Sequence, residues 1–108
     1  MKLYIPERLL LLGMLPKEGD YAALKELRRG KEILAFTPQE SQDYEIVQHE
    51  GGRITWNADG NSYMADLPLS LWLTTVVQEE LRKLNKEKKL TERELSLYEK
   101  FIVAYDQV

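Results

Sequence analysis

Apolar residues recur along this chain at two different spacings, and the change between them divides it into helical ends and a strand-like middle. Leu9 to Leu12 with Met14 follow Pro6 and Glu7, which suit the first turn of a helix, and Pro16 forces an exit. Gly19-Asp20 offers a turn and an N-cap. After it, Tyr21, Leu24, Leu27 and Leu34 can share one side of a second helix, with Lys25, Arg28, Arg29 and Lys31 on the wet side. Thr37-Pro38-Gln39-Glu40 spells a capping box with proline at the first helical position, so a short helical turn is expected through about Asp43.

The period then becomes two. Tyr44 and Ile46 alternate with Glu45 and Val47, and Ile54 and Trp56 alternate with Thr55 and Asn57. Between them Glu50-Gly51-Gly52 supplies a turn needing positive φ. This predicts a β-hairpin, and after the turn Asp59-Gly60-Asn61 a third strand over 62–67 would complete an antiparallel meander. Pro68 ends that strand. Ser70 is placed to cap a helix carrying Leu69, Trp72, Leu73, Val76, Val77, Leu81 and Leu84 on one broad face. A polar connection over 85–89 leads to a second capping box, Thr91-Glu92-Arg93-Glu94. It opens a helix with Leu95, Tyr98, Phe101, Ile102 and Tyr105 inside.

Helices, then strands, then helices read as an α+β fold. The expected sheet has two or three antiparallel strands over about residues 44–67, flanked by N-terminal helices and a C-terminal helical hairpin. A two-stranded hairpin is marginal alone, so Ile46, Ile54 and Trp56 are expected to rest on the helices. The whole of 1–108 reads as a single domain, because 108 residues is one ordinary domain length. Leu, Ile, Val and Phe supply 30 of those residues, enough for a core.

Composition narrows the chemistry. With no cysteine, disulfides, thiolate nucleophiles and Cys-ligated metals are excluded, and a cytoplasmic location is the default reading. The start imitates a secretory leader, but Glu7 and Arg8 interrupt it and no small-x-small cleavage site follows Leu15. No stretch has the length of a membrane span. His49 is the single imidazole and reads as an exposed strand-end residue. A metal site or a nucleophile–base pair would have to be assembled around it alone. Glu79-Glu80 and Glu92/Glu94 read as solvated charge and a cap rather than acid–base pairs. Gly51-Gly52 has no helix start or Lys-Ser/Thr after it and is no phosphate loop. The serines at 41, 62, 70 and 96 lie in no nucleophile-elbow context. The residues therefore point away from an enzyme, and no cofactor or metal is expected.

Charge is unevenly spread. The net of −3 divides into +2 over 1–35, −7 over 36–81 and +2 over 82–108. In the middle segment Arg53 is the lone cation. An acidic face there would repel nucleic acid and attract basic surfaces. Glu45, Glu50, Asp59 and Asp66 are the candidate partner-binding acids. Tyr63, in what reads as an edge strand, is the aromatic most expected to be exposed, and the edge over 62–66 is a candidate contact between chains. Trp56 and Trp72 read as core anchors. Two basic clusters, Lys25, Arg28, Arg29 and Arg82, Lys83, Lys86, Lys88, Lys89, form a candidate nucleic-acid patch. The second follows from a helix C-terminus without any ligand.

Three segments, Leu11 to Tyr21, Gly51-Gly52-Arg53-Ile54-Thr55-Trp56-Asn57 and Leu90 to Phe101, resemble small proteins of unknown function encoded by phages and prophage-like elements. The resemblance implies a genomic setting and no activity. The expectation is thus a non-enzymatic interaction module, an accessory of a mobile element, that binds a protein or associates with itself as a homodimer. Nucleic-acid binding through the two basic clusters is the alternative.

Overall fold

Backbone hydrogen-bonding groups must be paired before a helix or strand can be buried, and local side chains do much of that pairing here. In the computed structural model, which describes residues 1–106, strand β1 (Lys2–Tyr4) runs straight into helix α1 (Ile5–Met14). Helix α2 (Tyr21–Leu34) starts where Asp20 accepts the Ala23 amide. Helix α3 (Pro38–Asp43) starts on the reciprocal box between Thr37 and Glu40, with Pro38 in its first turn. Strands β2 (Val47–Gln48) and β3 (Ile54–Thr55) flank a 3₁₀ turn over Glu50–Gly52, in which Gly51 and Gly52 take φ of 80° and 81°. A second 3₁₀ turn, Ala58–Ser62, leads to strand β4 (Met64–Asp66).

Ser70 then caps the long helix α4 (Leu71–Lys86) through the Leu73 amide. Helix α5 (Glu92–Tyr98) opens on the Thr91–Glu94 box. The hydrogen bond from the Thr91 side chain holds the Glu94 carboxyl below its ordinary range. The helix continues through a π-helical turn, Glu99–Val103, into the short α6 (Ala104–Asp106). Across the expected helical hairpin, the Gln78 amide donates to the Phe101 carbonyl at 2.9 Å and Asn85 donates to the Tyr98 hydroxyl at 3.2 Å. These two links run in opposite chain directions, as antiparallel neighbours require.

The α+β class and the flanking helices are as the sequence predicts, but the third strand joins a different sheet. β2 and β3 pair only with each other, Val47 opposite Thr55 and Gln48 opposite Ile54, while β4 pairs antiparallel with β1 at the chain's start. The meander fails because 58–62 winds into a 3₁₀ turn and carries the chain away. The hairpin is also shorter than expected: Glu45 sits at φ 50°, so Tyr44 and Ile46 lie outside its strands.

The core is built by Leu3, Leu11, Leu27, Leu34, Leu73, Val77, Leu81, Leu97, Phe101 and Ile102. Burying such side chains stabilises by about 1.5–3 kcal/mol each. At Gly30 the second and fourth helices approach so closely that a Cβ would stand 3.3 Å from Leu73. Ile54 and Trp56 line, together with Pro6, Leu9 and Leu10 of α1, a cavity of about 320 Å³. Other inward expectations were too generous. Tyr21 is 81% exposed, and Leu24, Leu95 and Tyr105 are about half exposed, because the faces of α2 and the last helix meet fewer neighbours than their apolar stripes are wide.

Candidate functional site

Two charged residues adjacent in α1, Glu7 and Arg8, are buried and diverge into two networks. Glu7 accepts the Tyr4 amide at 2.8 Å, the Ser96 hydroxyl at 2.8 Å and the Lys100 ammonium at 2.6 Å. Lys100 also donates to the Lys2 carbonyl at 2.9 Å and lies over the Tyr4 ring. The Arg8 guanidinium points the other way. It donates to the Leu34 and Ala35 carbonyls at 3.1 and 2.6 Å, closing the C-terminus of α2, and grips both oxygens of Glu40 at 2.7 and 3.2 Å. A cation is favoured at a helix C-terminus, and a paired fork is the strong form of such a contact. Phe36 lies under the guanidinium, 4.3 Å from it.

Glu40 receives a third partner, the Tyr63 hydroxyl, at 2.5 Å, and the Tyr63 ring stacks on Tyr44 with centroids 4.2 Å apart. Partial burial alone would raise the Glu40 carboxyl. Hydrogen bonds from Arg8, the Thr37 amide and Tyr63, with the Arg8 charge, outweigh it and bring the carboxyl down to about 2. The same hydrogen bond from the other side, helped by burial, pushes the Tyr63 phenol up to about 12. Tyr63 is therefore half-buried and anchored, not the free aromatic its place in the sequence suggests. Stacking on Tyr44 and bonding to Glu40 hold it in place in the wall of a groove beside β4.

The networks bear on the β1–β4 ladder. Its register places Lys2 opposite Asp66, Leu3 opposite Ala65 and Tyr4 opposite Met64. Met1 and Leu67 exchange both of their backbone hydrogen bonds, each at 2.8 Å. In an antiparallel pair, bonded and non-bonded positions alternate, so the backbone groups of Lys2 and Tyr4 point away from β4, and those of Met64 and Asp66 point away from β1. On the β1 side that outer edge is partly covered: Lys100 takes the Lys2 carbonyl and Glu7 takes the Tyr4 amide, and the outward Lys2 amide is left without a partner among the described residues. On the β4 side, among the described residues, the outward amides and carbonyls of Met64 and Asp66 meet no hydrogen-bond partner. A groove of about 430 Å³ runs along this open edge. Its facing wall is Glu32, Ile33, Ala35 and Thr37, from the end of α2 and the link to α3, and the Arg8–Glu40–Tyr63 cluster also lines it.

Of the residues singled out in the sequence, Asp66 lies on this edge, its side chain 71% exposed and held from the β1 side by the Met1 amine at 3.1 Å. Glu45, Glu50 and Asp59 belong to the 44–62 excursion, in the loop after α3, the hairpin turn and the second 3₁₀ turn, and do not line the groove. His49 stands at the hairpin end with its Nε2 2.7 Å from the Thr55 hydroxyl. Among the described residues no three His, Cys, Asp or Glu side chains gather as a metal site would need. No helix among them is long and apolar enough to cross a membrane.

Lys25, Arg28 and Arg29 ride on α2, where Arg29 meets Glu26 at 3.6 Å. Arg82, Lys83 and Lys86 ride on the last turns of α4, and Lys88 and Lys89 follow it, Lys89 bridging to Glu87 at 3.6 Å. Sequence reasoning missed Glu32, Ile33 and the outward backbone of Met64 as lining of the open edge. The only local signal was Pro68, which marks where that strand must stop. Protein-family models, curated protein sequences and solved structures yield no match to this chain.

Proposed function

We propose that this chain is a non-enzymatic protein-interaction module, acting in the cytoplasm as an accessory protein of a phage or mobile element, and that it takes its partner on the outer edge of β4. The observation carrying this reading is the asymmetry of the β1–β4 ladder. One edge is covered by Lys100 and Glu7 at all but the Lys2 amide, while the other keeps two amides and two carbonyls unpaired beside a groove. An unpaired edge is a template for another strand, and proteins usually blunt such edges when they have no use for them. The phage setting is supported by the resemblance of the 11–21, 51–57 and 90–101 segments.

The test compares the wild-type chain with Met64→Pro, each immobilised and exposed to extract of its natural cell at low and high salt. Proline suits an edge position whose amide faces outward, so the variant is expected to keep its fold while its ring obstructs the edge. A protein held by the wild type and released by the variant, with unchanged melting, supports the reading. Identical profiles from both columns reject it.

A further inference from the structure

Away from the β4 edge, three distant stretches of chain converge on one cavity. Pro6, Leu9 and Leu10 come from α1, Ile54 from β3 with Trp56 just after it, and Arg93 from the first turn of α5. Arg93 is the single charged side chain of that lining among the described residues. The geometry points to this cavity as a binding site for a small aryl carboxylate, whose ring lies against Trp56 and whose carboxylate is taken by Arg93.

The apolar part suits such a body. A volume of about 320 Å³ is at the lower end of those that hold single small molecules, in sites that are mostly apolar with a few placed polar groups. The aromatic surface is prepared in advance. Trp56 Nε1 donates to Asn61 at 2.8 Å, and Gly60 lies so close to the indole that a Cβ there would stand 2.8 Å from a ring carbon. A ring fixed before binding loses little freedom when a ligand arrives, and aromatic ligands stack offset on such a surface. Leu9, Leu10 and Ile54 are each half-buried, so a ligand here removes apolar surface from water.

Arg93 selects the charge. Its side chain is exposed, and its guanidinium makes no hydrogen bond or ion pair among the described residues. Its charge acts through space on Glu94, but that carboxylate is already bound by the Thr91 amide and hydroxyl. The guanidinium fork is therefore open to a planar carboxylate, which it can grip with two parallel hydrogen bonds. No acid lines the cavity, so an amine would find no partner there. A phosphate would bring about two negative charges to one cation.

The probes are naphthoate, its neutral amide naphthamide, and the peptide acetyl-Ala-Ala-Phe with a free carboxylate. Amide and indole N–H spectra of the wild-type chain are expected to shift at Ile54, Trp56 and Arg93 with naphthoate, at a concentration roughly fivefold below that of naphthamide, as befits a partly exposed ion pair. Arg93→Gln should erase the preference while naphthamide still shifts Ile54 and Trp56, which also shows that the variant is folded. Met64→Pro should change neither result, since the cavity and the β4 groove share no lining residue, so this inference and the edge reading fail separately. Equal binding of naphthoate and naphthamide to the wild type, a preference that survives Arg93→Gln, or no shift at Trp56 would each overturn the inference. Tighter binding of the peptide than of naphthoate would assign the cavity to a protein C-terminus and overturn it as well.

Discussion

Arg8 and Glu40, 32 positions apart, form a two-pronged ion pair in which the arginine is 1% exposed and the glutamate 12%. Between them lies the whole of α2, whose last carbonyls the same guanidinium also binds. The pair therefore fixes where α2 ends, how α3 leaves it and, through Tyr63, where the chain returns to enter β4. The wall of the open groove is held in place by this one cluster.

Removing one partner of a buried ion pair is costly because the other stays behind without compensation. Arg8→Met should destabilise the chain by about 3–5 kcal/mol in urea unfolding. It strands the Glu40 carboxylate and two backbone carbonyls. Tyr63→Phe, which deletes only a hydrogen bond to a charged group, should cost about 1.5–3 kcal/mol. The two losses should be less than additive, since both act through Glu40. Full additivity would mean that Tyr63 is anchored by its stacking on Tyr44 and not by the carboxylate.

The same cluster sets an acid limb of stability. Glu40 ionises at about 2 in the folded chain against an ordinary value of 4.5. Its contribution is therefore complete above pH 4.5 and lost as pH falls toward 2. The difference corresponds to about 3 kcal/mol. Tyr63 has the reverse sign. Its phenol keeps its proton to about 12 instead of 10, so its contribution is complete below pH 10 and disappears between 10 and 12. Urea midpoints measured from pH 2 to 7 should fall steeply below 4.5 for the wild type and much less for Glu40→Gln. Equal slopes would place the acid sensitivity on other carboxylates.

Local signals were legible in the sequence and distant pairings were not. The Thr37–Glu40 and Thr91–Glu94 boxes and the caps at Asp20 and Ser70 each depend on side chains reaching a backbone amide two or three residues away, and each forms where expected. The Gly51-Gly52 turn is of the same kind. By contrast, β4 finds its partner more than 60 residues away, and nothing in a three-residue strand announces which edge it will join. From the sequence Glu7 reads as a first-turn acid, and Arg8 only as a charge that interrupts the apolar start. Their burial depends on Lys100 and Glu40, which only the folded chain brings near. The same limitation hid the groove, whose chemistry is backbone on one side and the end of a distant helix on the other.

Two glycines should respond in opposite directions to the same substitution. A Cβ at Gly60 would stand 2.8 Å from a Trp56 ring carbon and 3.2 Å from Ile5, whereas one at Gly13, in α1, would meet nothing. Gly60→Ala forces the second 3₁₀ turn off α1 and should destabilise by about 1–3 kcal/mol. Gly13→Ala gains helix propensity and should stabilise by roughly 1 kcal/mol. Thermal melts of the two variants distinguish these signs directly. A neutral Gly60→Ala would show that Trp56 can swing clear, which its hydrogen bond to Asn61 at 2.8 Å opposes.

Lys100 joins the end of the chain to its beginning, and its removal should act in two places. Its ammonium neutralises the buried Glu7 carboxylate and occupies the carbonyl of Lys2 on the outer edge of β1. Lys100→Met keeps most of the side chain's bulk but leaves Glu7 held by the Tyr4 amide and Ser96 alone, which should cost about 3 kcal/mol or more. Ser96→Ala removes one neutral donor and should cost less, about 1.5–3 kcal/mol. The second effect concerns the ladder. With the Lys2 carbonyl uncovered beside its unpaired amide, Lys2 offers both a donor and an acceptor on the outer edge of β1, and unblocked edges invite association. Lys100→Met should therefore self-associate in sedimentation at concentrations where the wild type does not, and Lys100→Arg should restore the wild-type behaviour. If Lys100→Met loses stability without any change in mass, the lysine serves to hold the last helix against α1 and the edge is closed by other means.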